Sequence, residues 1–266
     1  MVEHVHWEDL PRGTREAIER RTGTVSSAKT VSEGLNSALA AVLTTETGPV
    51  FVKGMRRDHR RRGTQDMEAL VNPYVTRLSP RLLWRVEGEW DVLGFEAVDG
   101  RHADYRPGSP DLAKIAATLV ELGALRCPDL PVKPAEDRWR AYVDGPAELE
   151  WLEGDRLLHT DYSPLNVLVT RDRALLVDWA WPTRGPGWIA PACMVLRLIA
   201  NGHGAEAAER VFADVPAWHD APADALMVFA RASARRWAEI PDAGAPQWTQ
   251  DMKKASRAWV EHRAAG

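Results

Sequence analysis

The sequence predicts an α+β protein, with a smaller β-rich part followed by a larger, mainly helical part. Three observations carry the prediction. Short apolar runs bounded by turn residues crowd the first hundred positions. Apolar residues recur at helical spacing from Ser109 onward. Within that helical part, Leu157 to Trp179, LLHTDYSPLNVLVTRDRALLVDW, reads as polar residues set around a β-hairpin. Strands with one helix, then mostly helices around a hairpin, suit two layers of structure with a ligand between them.

Composition narrows the classes. At 266 residues the chain can bury a substantial core as one large domain or two lobes. Hydrophobic content of 45% and charged content of 27% are those of an ordinary soluble globular protein. A net charge of -4 gives no push toward nucleic acid or a membrane surface. Cys127 and Cys193 lie in no metal-ligand or C-x-x-C spacing, so a reduced, cytoplasmic protein is the default. The N-terminus is charged from its third residue and has no apolar signal core, and no apolar run reaches membrane-spanning length. Abundant Ala and Arg with few lysines suggest a GC-rich bacterial gene. Trp is plentiful (12) against four Phe and four Tyr, divided between core and pocket in a way sequence does not sort.

Taken in order, residues 8–20 have the character of a charged surface helix. Thr24–Gly34 is polar with apolar alternation, and the second half of Leu35–Thr45 is strand-like. Glu46-Thr47-Gly48-Pro49 supplies turn chemistry before a short returning strand, Val50–Lys53. Gly54–Gly63 carries five arginines without interleaved aromatics; it reads as a solvated linker in preference to a nucleic-acid patch, with steering of anionic ligands a third option. Thr64–Val75 looks helical, with Thr64 as N-cap and Met67, Leu70 and Val71 on one face. Arg81–Glu87 and Trp90–Glu96 are two strands around a Glu-Gly-Glu turn.

The helical part begins at Ser109-Pro110-Asp111: a capping hydroxyl, Pro at N1 and an acid in the first turn. Leu112, Ile115, Leu119 and Leu122 continue it, and Gly123 ends it. A short helix over Ala135–Val143 brings Trp139 and Tyr142 inward. Pro182–Pro191 reads as a Gly/Pro-rich loop, followed by an apolar helix over Ala192–Ala200 and further helices over Ala205–Ala213, Ala223–Glu239 and Pro246–Ala264.

The hairpin holds the chemistry. Asn166–Thr170 and Ala174–Val177 are its strands, around Arg171-Asp172-Arg173. Asp161 and Asn166 then lie at the entrance of the first strand and Asp178 at the exit of the second. Antiparallel pairing brings entrance and exit together. Such a trio suits a divalent cation with oxygen ligands beside a carboxylate that takes a proton from a hydroxyl.

HTDYSPLNVLV followed by LLVDW resembles the H-x-D-x-x-x-x-N … D-[FW] signature of the aminoglycoside phosphotransferase-like kinases, small-molecule relatives of protein kinases. The resemblance implies a protein-kinase-like bilobal fold: a small β-rich nucleotide-binding lobe over 1–98 and a larger α-helical catalytic and substrate-binding lobe over 99–266. It implies Asp161 as the catalytic base and Asn166 and Asp178 as magnesium ligands. Ser32, Gly34, Asn36 and Ser37 fall at the family's nucleotide loop, where backbone N–H groups of a Gly-containing turn approach phosphates. Lys53 falls at its lysine, a flexible point charge for the phosphates, and Glu68 at the glutamate that holds that lysine. Phe95–Gly100 resembles the hinge, where the Glu96 carbonyl and Val98 amide meet the adenine edge. His159 is expected to brace the loop. Thr160 stands where the family usually has Gly, although a β-branched residue disfavours positive φ.

The activity so implied is ATP- and Mg2+-dependent transfer of the γ-phosphate to a hydroxyl of a small molecule, an aminoglycoside or other antibiotic among the candidates. The alternative is a nucleotide-binding pseudokinase without turnover. Asp178-Trp179 leads into a Pro/Gly loop with no Ala-Pro-Glu segment, which speaks against a protein substrate. Expected partners are a small-molecule acceptor, no nucleic acid and no membrane, with a monomer favoured. Acidic and basic residues are nearly balanced after Ala200, so no acidic bias announces a polycationic acceptor.

Overall fold

Apolar runs between positions 24 and 96 build a five-stranded antiparallel sheet whose inner strands are largely buried on both faces. The structure, a computed structural model, describes residues 4–31 and 37–265. The chain divides into two compact units, Met1–Arg101 with Leu175–Ala180, and His102–Ala174 with Trp181–Gly266.

The sheet belongs to the first unit. Its strands are β1 (Val25–Thr30), β2 (Leu39–Thr45), β3 (Gly48–Arg56), β4 (Leu82–Glu87) and β5 (Trp90–Glu96), in the order β1-β2-β3-β5-β4. Helix α1 (Arg12–Thr22) lays Ile18 against Leu43, Val50, Val52 and Val92, and Trp7 and Leu10 complete this core. Successive strand residues face opposite sides, so Lys53 leaves the face opposite Val52, toward α2 (Arg62–Val71).

Two expectations are corrected here. Strand β3 runs to Arg56 instead of ending at Lys53, because β5 pairs with it along its length, from Val50↔Glu96 to Arg56↔Trp90. Gly54 allows that approach: a Cβ there would stand 3.0 Å from the Asp91 carbonyl oxygen. The arginine-rich stretch is therefore a strand end and a helix start. Arg62 pairs with Glu87 and with Asp91, which is itself buried, and Arg56 with Glu89. Helix α2 starts two residues before Thr64, whose hydroxyl donates to the Arg61 carbonyl and caps nothing.

The second unit is mostly helical. It takes in the end of β6 (Arg101–His102), then α3 (Asp111–Ala124), β7 (Lys133–Pro134), α4 (Ala135–Trp139), α5 (Pro146–Glu150), β8 (Arg156–Leu158) and β9 (Val167–Val169). Strand β10 (Ala174–Leu176) is followed by β11 (Thr183–Gly185), α6 (Ile189–Ala200), α7 (Ala205–Arg210), α8 (Pro216–His219), α9 (Ala223–Ala238) and α10 (Gln247–Ala265). Trp139, Trp188 and Trp259 close around Phe229 at centroid distances of 5.1, 5.6 and 6.4 Å, so these tryptophans are core. Tyr142 is only half-buried, its hydroxyl 2.7 Å from Glu239.

The stretch read as a Gly/Pro loop contains β11, which pairs antiparallel with β8 and parallel with β7. This small sheet sends the chain out of β8 at Leu158 and back into β11 at Thr183, fixing both ends of the segment that holds the hairpin. The turn Thr170–Arg173 closes on a Thr170 N–H bond to the Arg173 carbonyl at 2.9 Å. No helix among the described residues is long and apolar enough to cross a membrane.

Candidate active site

In the first unit, Lys53 Nζ lies 2.7 Å from Glu68 Oε2 and 2.7 Å from Asp178 Oδ1. Strand β3 delivers the lysine and α2 the glutamate. Asp178 follows β10 and is carried into this unit with Leu175–Ala180, which the Leu176 N–H ties to the Leu78 carbonyl at 2.7 Å. The side chains of Lys53 and Glu68 are 10% and 6% exposed, so water screens the trio little. Burial by itself lowers the Lys53 pKa, but Asp178 and then Glu68 outweigh it and hold it above the ordinary lysine value. Burial also pushes the Glu68 carboxyl above its ordinary value, against the pull of Lys53.

In the second unit, the loop after β8 carries His159, Thr160, Asp161 and Asn166. His159 is buried, and its Nδ1 accepts the Asp161 N–H at 3.3 Å, which makes it a brace for the loop. Thr160 takes the positive φ that its side chain disfavours, 65°. Its hydroxyl donates to the Trp181 carbonyl at 3.3 Å and lies 3.5 Å from the hydroxyl of Thr183, the first residue of β11, and these contacts hold the strained residue in place. The other non-Gly residue with positive φ among those described is Asp178, at 63°.

The Asp161 carboxylate is gripped on one oxygen. Ser163 N–H donates to Oδ1 at 3.3 Å and Arg197 Nη2 at 3.0 Å, while among the described residues nothing donates to Oδ2. That leaves an acceptor oxygen on an oriented carboxylate. Arg197 is a partner of Asp161 that sequence reasoning did not single out. Its signal was present: it is the single charge in the otherwise apolar helix IAPACMVLRLIA.

Asn166 is buried at the end of a 3-10 turn, Pro164–Asn166, and its Nδ2 donates to the Asp161 carbonyl at 3.2 Å. Its amide oxygen is the end left for a cation. The Asn166 amide oxygen in this unit and the Asp178 carboxylate in the first are each of the hard-oxygen type that Mg2+ takes alongside waters and phosphate oxygens. No group of three or more His, Cys, Asp and Glu among the described residues forms a metal cage of its own.

Of the nucleotide-loop residues, Ser32, Gly34 and Asn36 lie outside the described residues, and Ser37 is buried at the entrance to β2. At the hinge, the Glu96 N–H is taken by the Arg81 carbonyl at 2.9 Å and its carboxylate by Arg81. Val98 lies two residues beyond β5, and its N–H has no partner among the described residues.

No protein-family model matches the chain, and no curated protein matches it. Among solved structures it is similar to an aminoglycoside phosphotransferase from Alicyclobacillus acidocaldarius subsp. acidocaldarius DSM 446, at 16% identity and TM-score 0.58, covering 96% of each chain. A thermostable mutant of aminoglycoside phosphotransferase APH(4)-Ia, in ternary complex with ADP and hygromycin B, is 14% identical with TM-score 0.60, covering 94% of this chain and 98% of that one. Choline kinase LicA from Streptococcus pneumoniae is 12% identical with TM-score 0.55, covering 96% and 99%. Agreement over nearly the whole length shows that this chain has the fold of the aminoglycoside phosphotransferase-like small-molecule kinases.

Proposed function

We propose that the chain is an ATP-dependent O-phosphotransferase that moves the γ-phosphate to a hydroxyl of a small molecule, with Mg2+ on the nucleotide. The buried Lys53–Glu68–Asp178 trio carries the proposal. A lysine ammonium fixed between two carboxylates is a costly arrangement for stability alone, and it suits a polyphosphate that competes for the same charge.

In this reading Lys53, steadied by Glu68, binds the inner phosphates. Ser32, Gly34, Asn36 and Ser37 approach them from the loop, and the Glu96 carbonyl and Val98 N–H meet the adenine edge. Asn166 and Asp178 hold magnesium, which when bound neutralises charge on the phosphates. Asp161 orients the acceptor hydroxyl through Oδ2 and takes its proton. As the acceptor oxygen bonds to the γ-phosphorus, the bridge to the β-phosphate breaks and ADP leaves. Such a base contributes on the order of 10²–10⁴ in rate. The enzyme works in the cytoplasm as a monomer, and antibiotics such as the hygromycin B of one structural relative are among its candidate acceptors.

The second reading is a nucleotide-binding module without turnover. It draws support from the Asp161–Arg197 pair, since a base engaged by a cation is a poorer proton acceptor. An acceptor screen by mass spectrometry separates the two. A phosphate-sized mass gain on a hydroxyl compound, abolished in Asp161→Asn, is the expected result. MgATP binding without transfer across a broad panel supports the module instead.

A further inference from the structure

Asp161 sits on a loop, and as a base it must present one particular oxygen to an acceptor. Its side chain is 38% exposed, so packing alone does not fix where the carboxylate points. One restraint is local: the Ser163 N–H reaches Oδ1 at 3.3 Å, long for such a bond. The other comes from across the second unit. Arg197 Nη2 donates to the same oxygen at 3.0 Å, a charge-assisted bond, and leaves Oδ2 without a donor among the described residues.

Arg197 is itself held firmly. It rises from α6, eight of whose twelve residues are buried, so its backbone is anchored in the core. Its side chain is 14% exposed, and Asp161 is its one carboxylate partner among the described residues. The Trp248 ring from α10 covers the guanidinium, whose carbon lies 5.8 Å from the ring centroid, and Trp237 meets that ring edge-on at 5.9 Å. Two effects on a base then oppose each other. A cation beside a base weakens it, but water on the exposed Asp161 side screens that effect. A fixed orientation favours catalysis, and misplacing a reacting group by about 1 Å costs on the order of 10²-fold in rate. Orientation is the larger effect.

We infer that Arg197 is a positioning residue for phosphoryl transfer: it acts through Asp161, fixing Oδ1 so that Oδ2 is the oxygen the acceptor hydroxyl meets. Trp248 keeps the guanidinium in place. This role rests on the phosphotransferase reading of the site.

Steady-state kinetics on the full chain, with MgATP and an acceptor found by the mass screen, test it in Arg197→Ala, Asp161→Asn and the double variant. Thermal melts confirm that each folds. Arg197→Ala is expected to lower kcat about ten- to a hundredfold while the KM values for MgATP and acceptor stay within about threefold. Arg197→Gln, closer in size, is expected to behave alike and decides the matter should the alanine variant not fold. In the Asp161→Asn background the same substitution is expected to cost less than about twofold, because no base is left to position. Unchanged or faster turnover without Arg197, a raised KM with kcat unchanged, or an equal loss in both backgrounds overturns the inference and leaves the phosphotransferase reading standing. A wild-type chain that binds MgATP but transfers phosphate to no acceptor removes that reading, and the role of Arg197 falls with it.

Discussion

Lys53 shares one ammonium between Glu68 and Asp178, so the three stand or fall together. Lys53→Met leaves two carboxylates buried without their cation, and breaking a buried pair in this way costs about 3–5 kcal/mol. A thermal melt should show a fall of many degrees, and Glu68→Gln a smaller one because it leaves the Lys53–Asp178 pair in place. Thr160 poses the opposite case. Its φ of 65° is costly for a β-branched residue, on the order of 1–3 kcal/mol, and glycine relieves it. Thr160→Gly is therefore expected to hold or raise the melting temperature while losing the hydroxyl tie to β11; a clear destabilisation contradicts the strain argument. The motif singled out Asp161, Asn166 and Asp178; the structure sets Asp161 and Asn166 in one loop, joined at 3.2 Å, and Asp178 2.7 Å from Lys53. Arg197 lay outside any motif, 36 positions from Asp161, and only the fold brings the two together.

At the scale of elements, β4 and β5 meet through Trp84, whose indole lies flat against Gly94. A Cβ at Gly94 would stand 2.3 Å from that ring, with a buried strand behind it. Gly94→Ala should cost at least about 1–3 kcal/mol by overpacking. Adding Trp84→Leu, which removes the ring, should recover part of that loss, and a double mutant no better than the single one contradicts the contact. Strands β2, β4 and β5 and helices α9 and α10 were readable because each is long enough to show its period or its caps. The β7-β11-β8 sheet was not. Its strands are two or three residues long, too short to alternate, and their pairing joins residues 133, 158 and 183. The end of β3 was hidden for a related reason: charge on Arg56 suggested solvent, while the length of its partner β5 decided the pairing.

Across the whole molecule, several protons are held back by burial. Desolvation pushes the Cys193 thiol from 9.0 up to about 12, and it pushes the buried phenols of Tyr105 and Tyr162 above their ordinary 10.0. The folded chain keeps these protons while the unfolded chain releases them from about pH 9 upward, so the stability these three groups contribute is full below that pH and falls above it. Between pH 8 and 10 the loss is on the order of 2 kcal/mol, and Cys193→Ala removes more than half of it. Melts by circular dichroism across that range check the sign; a flat profile contradicts it. Function is the larger claim, and labelled γ-phosphate tests it most directly. Incubated with MgATP and an acceptor identified by the mass screen, the wild-type chain should move the label onto the acceptor. Asp161→Asn should bind nucleotide with unchanged affinity and transfer the label at least about a hundredfold more slowly. Label that reaches the acceptor at the same rate in both proteins, or in neither, contradicts the account.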